Sequence, residues 1–385
     1  MVAECKSISD TRLAEARRVV LKIGSALFVD QKTGTLNREW LDALCEDVAA
    51  MHASGQEVVI VSSGAIALGA AKLGIDVSRA RLQESQASAA AGQIQLAHAY
   101  QEILGLHGIN AAQVLLTLDD SVSRRRYLNA TNTLFTLLKC RAVPVVNEND
   151  TVATQEIRYG DNDRLGARVA QMISADCLVL LSDVDGLYTS DPRVNDDAEH
   201  IPEVTELTKG HWDMAGGPGS SHGSGGMRTK LDAARIAMSA GCRILIAPGQ
   251  ALHPIEAVKA GARVTWFLPN STPRAARKQW IAGTLQPKGS VVVDAGAGRA
   301  LESGKSLLPA GVTAVKGDFD RGEAVLVVDA SGHELARGLI GYAAAEARAI
   351  AGKQSGDIAD ILDYRGRDEM IHRDDLVLAH VETDS

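Results

Sequence analysis

Acidic and amide side chains follow directly after an apolar run, Val143–Val146, in this 385-residue chain. The first cluster reads Asn147, Glu148, Asn149 and Asp150, and the second, one loop later, reads Gly160, Asp161, Asn162 and Asp163. The apolar run predicts a buried strand, and ligands gather at the carboxyl ends of strands in α/β sheets. A solvated turn is the competing interpretation, since Asn, Asp and Gly are common turn residues. Two clusters in succession favour a binding site.

A lysine stands inside an apolar strand near the start of the chain. Arg18–Ile23 reads RVVLKI, and Gly24-Ser25 follow it. Because burying an unpaired ammonium group is costly, Lys22 either extends to the strand end or faces an anion. The glycine and serine would free backbone N–H groups for the same anion. A surface lysine on an edge strand stays open as the alternative.

A glycine-rich tract, Gly216–Lys230, runs straight into a predicted amphipathic helix, Leu231–Ala240. Its composition is that of a flexible linker. However, flexible amides, a hydroxyl and a lysine at the start of a helix also suit phosphate recognition, by backbone donors and a point charge. Both interpretations stay open on composition alone.

The elements that must position these groups alternate between strand and helix. Strands predicted at Glu57–Val61 and Cys177–Leu181 each end in a polar turn, Ser62-Ser63-Gly64 and Ser182-Asp183 respectively. Such alternation predicts a mainly parallel sheet with helices on both faces. No turn matches GxGxxG or GxxxxGK[ST], which disfavours a dinucleotide fold and a Walker loop.

Composition excludes several classes of protein. The net charge of −8 and a pI near 5.7 argue against a main role in binding nucleic-acid phosphates. Five dispersed cysteines without a CxxC pair indicate reduced thiols, so we expect a cytoplasmic protein. No apolar run approaches the ~20 residues of a membrane span, and we expect no membrane association.

The character of the chain changes after Leu268. Residues 269–287 are polar, basic and proline-containing, which predicts a linker with one helical patch. From residue 290 the pattern becomes β, including SVVVDAGAGRAL, with one helix predicted at Ala343–Ala351. The predicted division is therefore an α/β domain at 1–268, the linker at 269–287, a compact β-rich domain at 288–368 and a tail at 369–385.

Six ordered motifs carry a family resemblance: VLKIGSA, VIVSSGAIALG, VPVVNENDTV, YGDNDRL, LLSDVDGLYTSDPR and GSGGMRTKLDAARIA. In this order they resemble the glutamate 5-kinases of the amino-acid kinase family. SLLPAGVTAVKGDFDRGEAV and IHRDDLVL resemble the PUA domain that bacterial members carry at the C-terminus. The resemblance implies the amino-acid kinase fold followed by a PUA domain. It also implies transfer of the ATP γ-phosphate to the side-chain carboxylate of L-glutamate, the first step of proline synthesis.

The resemblance also assigns roles to residues. Lys22 matches the ATP-phosphate lysine, and Asp163 the aspartate that holds Lys22 and Lys230 in place; these three form the implied catalytic set. Glutamate would be bound by Ser63, Asp150 and Asn162. The implied ATP-binding set comprises Lys22, Ser182, Asp183, Ser224, Gly225, Gly226, Met227, Arg228, Thr229 and Lys230. Magnesium would be held mainly by ATP phosphates and water, and no side-chain metal ligand is assigned.

The expected chemistry agrees with these residue types. A carboxylate acceptor is already ionised at pH 7 and needs no general base, whereas phosphoryl transfer needs positioning and neutralisation of charge. Within enzymes, aspartokinase and uridylate kinase are the alternatives. Outside enzymes, the PUA-like segment raises RNA binding, which the net charge disfavours as the main role. We expect a homo-oligomer of undefined size, and proline is a candidate feedback inhibitor.

Overall fold

The computed structural model describes residues 8–30, 33–121, 123–152, 162–215, 226–284 and 286–379. The chain divides into two compact units. Residues 123–128 and those from 274 onward form the second unit, and the rest of the described chain forms the first. Each unit has its own hydrophobic core.

The strands of the first unit are β1 (Arg18–Ile23), β2 (Glu57–Ser62), β3 (Ala111–Leu116), β4 (Val143–Glu148), β5 (Cys177–Ser182), β6 (Leu187–Tyr188), β7 (His200–Ile201), β8 (Glu203–Val204), β9 (Arg243–Pro248) and β10 (Thr265–Phe267). All but β6 and β7 form one sheet, in the order β3-β4-β2-β1-β5-β9-β10-β8. Every neighbouring pair is parallel except β9 and β10. The carboxyl ends of β4, β2, β1 and β5 therefore lie side by side at one edge.

Helices cover both faces of this sheet. They are α1 (Ile8–Ala14), α2 (Ser25–Phe28), α3 (Arg38–Ala53), α4 (Ala65–Leu73), α5 (Leu82–Leu106), α6 (Arg124–Lys139), α7 (Asn162–Met172), α8 (Lys209–Met214), α9 (Met227–Ser239) and α10 (Pro254–Lys259). Alternate residues of β1, such as Leu21 and Ile23, pack in a core shared with α3 and α5. Lys22 points to the opposite face, where α7 passes beside it at Gly166.

Two glycines allow α4 and α5 to cross at backbone contact. A Cβ on Gly69 would lie 1.8 Å from the Ser88 carbonyl oxygen, and one on Gly92 would lie 1.8 Å from the Ala65 carbonyl oxygen. Neither position accepts a larger residue unless the helices separate. The crossing therefore fixes Gln93, the residue after Gly92, close to the start of α4.

The second unit contains β11 (Gly289–Val293), β12 (Val312–Gly317), β13 (Ala324–Val328), β14 (Glu334–Leu339), β15 (Leu376–Leu378), α11 (Pro273–Thr284), α12 (Ala295–Glu302), α13 (Ala344–Ile350) and α14 (Ile358–Leu362). Its sheet runs β12-β11-β13-β14-β15, with only β11 and β13 parallel among the pairs described. Val291, Phe319 and Tyr342 lie in its core.

The predicted fold class is confirmed, but the β interpretation of SVVVDAGAGRAL is wrong in its second half. β11 ends at Val293 and α12 begins at Ala295. Asp294 causes the change, because its Oδ1 accepts a hydrogen bond of 2.7 Å from the Ala297 N–H and caps the helix. The stretch predicted as a linker contains α11, and β15 comes from the stretch predicted as a tail. Among the described helices, none is long and apolar enough to cross a membrane.

Candidate active site

Two lysines share one aspartate at the carboxyl edge of the sheet. Lys22 is the penultimate residue of β1, Asp163 is the second residue of α7 and Lys230 lies in the first turn of α9. The Lys22 Nζ lies 2.5 Å from Asp163 Oδ1, and the Lys230 Nζ lies 3.3 Å from Asp163 Oδ2. All three side chains are buried. Because β1 lies between β2 and β5, the edge-strand alternative for Lys22 is wrong.

The lysine cluster, Lys22, Asp163 and Lys230, brings two ammonium groups to one carboxylate. Burial alone would raise the pKa of Asp163, but the two lysines and a hydrogen bond from Thr229 outweigh it and hold the pKa at about 2. The Thr229 Oγ1 donates to Asp163 Oδ2 at 3.0 Å. Asp163 is therefore a carboxylate at all working pH values, and two ammonium groups face it. The cluster as a whole suits an anionic ligand such as a phosphate group.

A network of neutral amides and hydroxyls forms the second half of the site. The Asn162 Nδ2 lies 2.9 Å from the Ser62 carbonyl oxygen, 2.9 Å from Ser63 Oγ and 3.0 Å from Asn147 Oδ1, and its two hydrogens are shared among these three acceptors. Asn147 in turn donates through its Nδ2 to Gln93 Oε1 at 2.8 Å. Asn147, Asn162 and Gln93 are all buried, so these bonds are protected from water.

Asp150 lies just beyond β4 and is half-buried. No hydrogen bond reaches this carboxylate from any residue that the structure describes. Burial, and then repulsion from the charge of Glu148, raise the pKa of Asp150 to about 7. Such a carboxylate gains most from a cationic partner, because a positive charge offsets both causes.

The end of β5 supplies a third group of polar atoms. The Ser182 Oγ donates to Asp183 Oδ1 at 2.9 Å, and Gln250 Nε2 donates to the Asp183 carbonyl oxygen at 3.2 Å. Ser182 is buried, whereas Asp183 is exposed. Because β5 pairs directly with β1, these residues lie on the strand next to that of Lys22.

The start of α9 faces water. Gly226 caps the helix and is exposed, Met227 is half-buried and Arg228 is exposed. Ser224 and Gly225, predicted to bind ATP, lie outside the described residues, as do Gly160 and Asp161. The described part of the chain shows no group of three or more His, Cys, Asp or Glu residues placed to hold a metal ion.

The structure thus brings six of the predicted residues together in two clusters, Lys22 with Asp163, Thr229 and Lys230, and Ser63 with Asn162. Sequence reasoning assigned no role to Asn147 or Gln93, which complete the second cluster. Asn147 belonged to the polar run after β4 and could have been chosen from it. The only signal for Gln93 is a buried amide beside a glycine in an alanine-rich helix.

Comparison with known proteins shows which family the chain belongs to. A model of the amino acid kinase family matches residues 17–248, and a PUA domain model matches residues 289–362. The glutamate 5-kinase of Paramagnetospirillum magneticum is 63% identical over 366 residues, covering 95% of this chain and 99% of that protein. Glutamate 5-kinase 1 of Rhizobium meliloti is 58% identical over 95% of this chain and 93% of that protein. The glutamate 5-kinase of Rhodospirillum rubrum is 59% identical over 93% of this chain and 96% of that protein.

These matches confirm the resemblance drawn from the ordered motifs, including the PUA domain at the C-terminal end. The chain belongs to the amino acid kinase family, in which its relatives are the glutamate 5-kinases.

Proposed function

We propose that the chain transfers the γ-phosphoryl group of ATP to the side-chain carboxylate of L-glutamate, giving L-glutamyl 5-phosphate and ADP. This is the first step of proline biosynthesis. The observation that carries the proposal is the lysine cluster beside a neutral amide network. The former suits a phosphate in transit, and the latter suits a small polar substrate.

The lysine cluster matches the needs of phosphoryl transfer. The bond between the γ-phosphorus and the bridging oxygen of ADP breaks as the glutamate oxygen bonds to phosphorus. Negative charge on the transferring oxygens then needs stabilisation by groups already in place. Lys22 and Lys230 approach Asp163 from opposite carboxylate oxygens, so their ammonium groups are held before the reaction begins. No proton has to be removed from the acceptor, because a side-chain carboxylate is ionised at pH 7.

The amide network matches the needs of glutamate recognition. The substrate carries an α-ammonium group, for which the carboxylate of Asp150 is the natural partner. The Ser63 hydroxyl can donate to a substrate carboxylate, and the Asn162 carbonyl oxygen can accept from the ammonium group. Ser63 also precedes Gly64, the N-cap of α4, and the first backbone N–H groups of this helix favour a carboxylate.

We assign the nucleotide to the end of β5 and the start of α9. Ser182 and Asp183 would contact the nucleoside part, and the segment from Ser224 to Lys230 would cover the phosphates. Magnesium would be held mainly by ATP oxygens and water. Both oxygens of Asp163, the buried carboxylate of the site, already face lysines, so no described side chain is assigned to the ion.

The test is ADP release measured with four acceptors: L-glutamate, L-aspartate, N-acetyl-L-glutamate and UMP. We expect glutamate to be preferred strongly, and added hydroxylamine to trap the acyl phosphate as a hydroxamate. Aspartate would represent aspartokinase activity and UMP a uridylate kinase. Preference for either, or ADP release without an acceptor-derived hydroxamate, would refute the proposed reaction.

Four finer proposals rest on the family resemblance and on composition. We propose that the chain forms a homo-oligomer and that proline inhibits it by feedback. RNA would be at most a secondary ligand, given the net charge of −8. A cytoplasmic location fits the four free cysteines among the described residues. Sedimentation, turnover with added proline, filter binding to RNA and cell fractionation test them in turn.

A further inference from the structure

We infer that Gln93 is a positioning residue for glutamate: acting through Asn147, it fixes the direction in which the Asn162 amide faces the substrate. The inference rests on the proposed function, since it takes Asn162 as a glutamate contact. It adds a residue from α5 to a site otherwise built from strand ends and helix starts.

The orientation of Asn147 is set by a backbone group that cannot reverse its role. The Glu148 N–H can only donate, and it donates to Asn147 Oδ1 at 2.9 Å. The Asn147 Nδ2 must therefore point the other way, and there it requires an acceptor. Gln93 Oε1, at 2.8 Å, is that acceptor. Without it, a buried amide donor is left unpaired, and Asn147 is held less firmly in the orientation that Asn162 needs.

The orientation of Asn162 depends on that of Asn147. Its Nδ2 is held by the Ser62 carbonyl oxygen, which can only accept, and also by Asn147 Oδ1 at 3.0 Å. If the Asn147 amide turned, its Nδ2 would meet the Asn162 Nδ2, and two donors would face each other. With Asn147 fixed, Asn162 keeps its Nδ2 in the network and its carbonyl oxygen turned away from it, as an acceptor for the substrate.

Burying the Gln93 amide costs stability, which indicates that the contribution of this side chain is its acceptor oxygen. Its own Nε2 is buried and has no hydrogen-bond partner among the residues described here. A buried donor of this kind destabilises a protein, so the Nε2 group does not account for a glutamine at this position. Gly92, the preceding residue, lies at backbone contact with Ala65, which places Gln93 close to the start of α4. What the side chain contributes is the hydrogen bond that Asn147 needs.

The test compares Gln93→Met, which keeps the length and removes the acceptor, with Gln93→Glu, which keeps an acceptor oxygen. We expect Gln93→Met to raise the glutamate KM on the order of tenfold, the effect of one buried hydrogen bond, with the ATP KM and kcat little changed. Gln93→Glu should restore most of the glutamate affinity. Gln101→Met, an exposed glutamine on the same helix, is the matched control and should behave like the unaltered chain.

Several results would overturn the inference. One is an unchanged glutamate KM in Gln93→Met, and another is an equal rise in both KM values, the mark of a purely structural role. If Gln93→Met does not fold, Asn147→Ala breaks the same link and must show the selective rise. An unaltered chain without glutamate turnover would refute the proposed function itself, and this inference with it.

Discussion

The two halves of the candidate site are built from opposite chemistry. The lysine cluster, Lys22, Asp163 and Lys230, is ionic and lies on the α7 face of the sheet. The amide network, which includes Asn147 and Gln93, is neutral and draws on the α5 face. One half therefore presents fixed charge, and the other presents hydrogen-bond donors and acceptors of fixed direction.

This difference indicates how one site can use different residues for the reaction rate and for substrate recognition. Charge that is held in place acts most strongly on the transition state, where negative charge is redistributed over the moving phosphoryl group. Directed neutral hydrogen bonds contribute similarly to bound substrate and transition state, so they act on affinity. Changes to the lysine cluster should therefore appear in kcat, and changes to the amide network in the glutamate KM.

The largest effect is expected from the lysines. Lys22→Ala or Lys230→Ala should lower kcat by roughly 10²–10³, the loss typical of one preorganised donor. Lys72→Ala, an exposed lysine at the end of α4, is the control. Steady-state kinetics with circular dichroism would check that the fold is kept. Near-normal turnover by either folded variant would remove the lysine from the reaction.

The next largest effect is expected from Asp150. Asp150→Ala should raise the glutamate KM by roughly 10- to 100-fold, the factor for losing one hydrogen bond to a charged group. The ATP KM should change little, because the nucleotide does not use this carboxylate. Kinetics with each substrate varied in turn give both values. Equal effects on both would assign Asp150 to the nucleotide or to folding.

A smaller effect is expected from pH. With a pKa of about 7, Asp150 is ionised at pH 8 and largely protonated at pH 6. Glutamate binding requires the ionised form, so the glutamate KM should rise about tenfold as the pH falls from 8 to 6. The substrate ammonium stays protonated over this range. Asp150→Asn should flatten the profile, and an unchanged slope in that variant would assign the titration to another group.

The smallest effect on turnover is expected from removing most of the second unit, residues 287–385. Residues 1–286 should retain most of the kcat, because every described residue of the candidate site belongs to the first unit. The melting temperature should fall, since Ile281 of α11 packs on Ala324 and Leu339, which the deletion removes. Differential scanning fluorimetry and ADP release on the truncated chain measure both. A soluble but inactive product would make the second unit part of the catalytic structure.

Much of the site was accessible from sequence because it follows from strand ends. Polar residues after β2, β4 and β5 stand out against apolar runs, and parallel strands bring their carboxyl ends to one edge. Lys22 was conspicuous for the same reason, as a charge inside an apolar strand. The contact of Asp163 with both lysines came from the family resemblance. Asp163 lies 141 residues after Lys22 and 67 residues before Lys230, so local patterns could not reveal the contact.

Other features carried no readable signal. Gln93 lies 54 residues before Asn147 and belongs to a helix whose pattern predicts only packing. The helical turn after β11 was misjudged because three valines dominated the pattern, while a single capping aspartate decided the structure. For Gln93 and for the helix after β11, a single hydrogen bond that only the structure shows decided the outcome, and the local composition did not.

The most direct test of the division between the two halves is to measure kcat and both KM values for Lys230→Ala and Asn162→Ala side by side. The account predicts that Lys230→Ala loses kcat while its glutamate KM stays close to that of the unaltered chain. It predicts that Asn162→Ala raises the glutamate KM and leaves the ATP KM unchanged. If both variants instead changed the same kinetic constant in the same proportion, the proposed separation of rate from recognition would be contradicted.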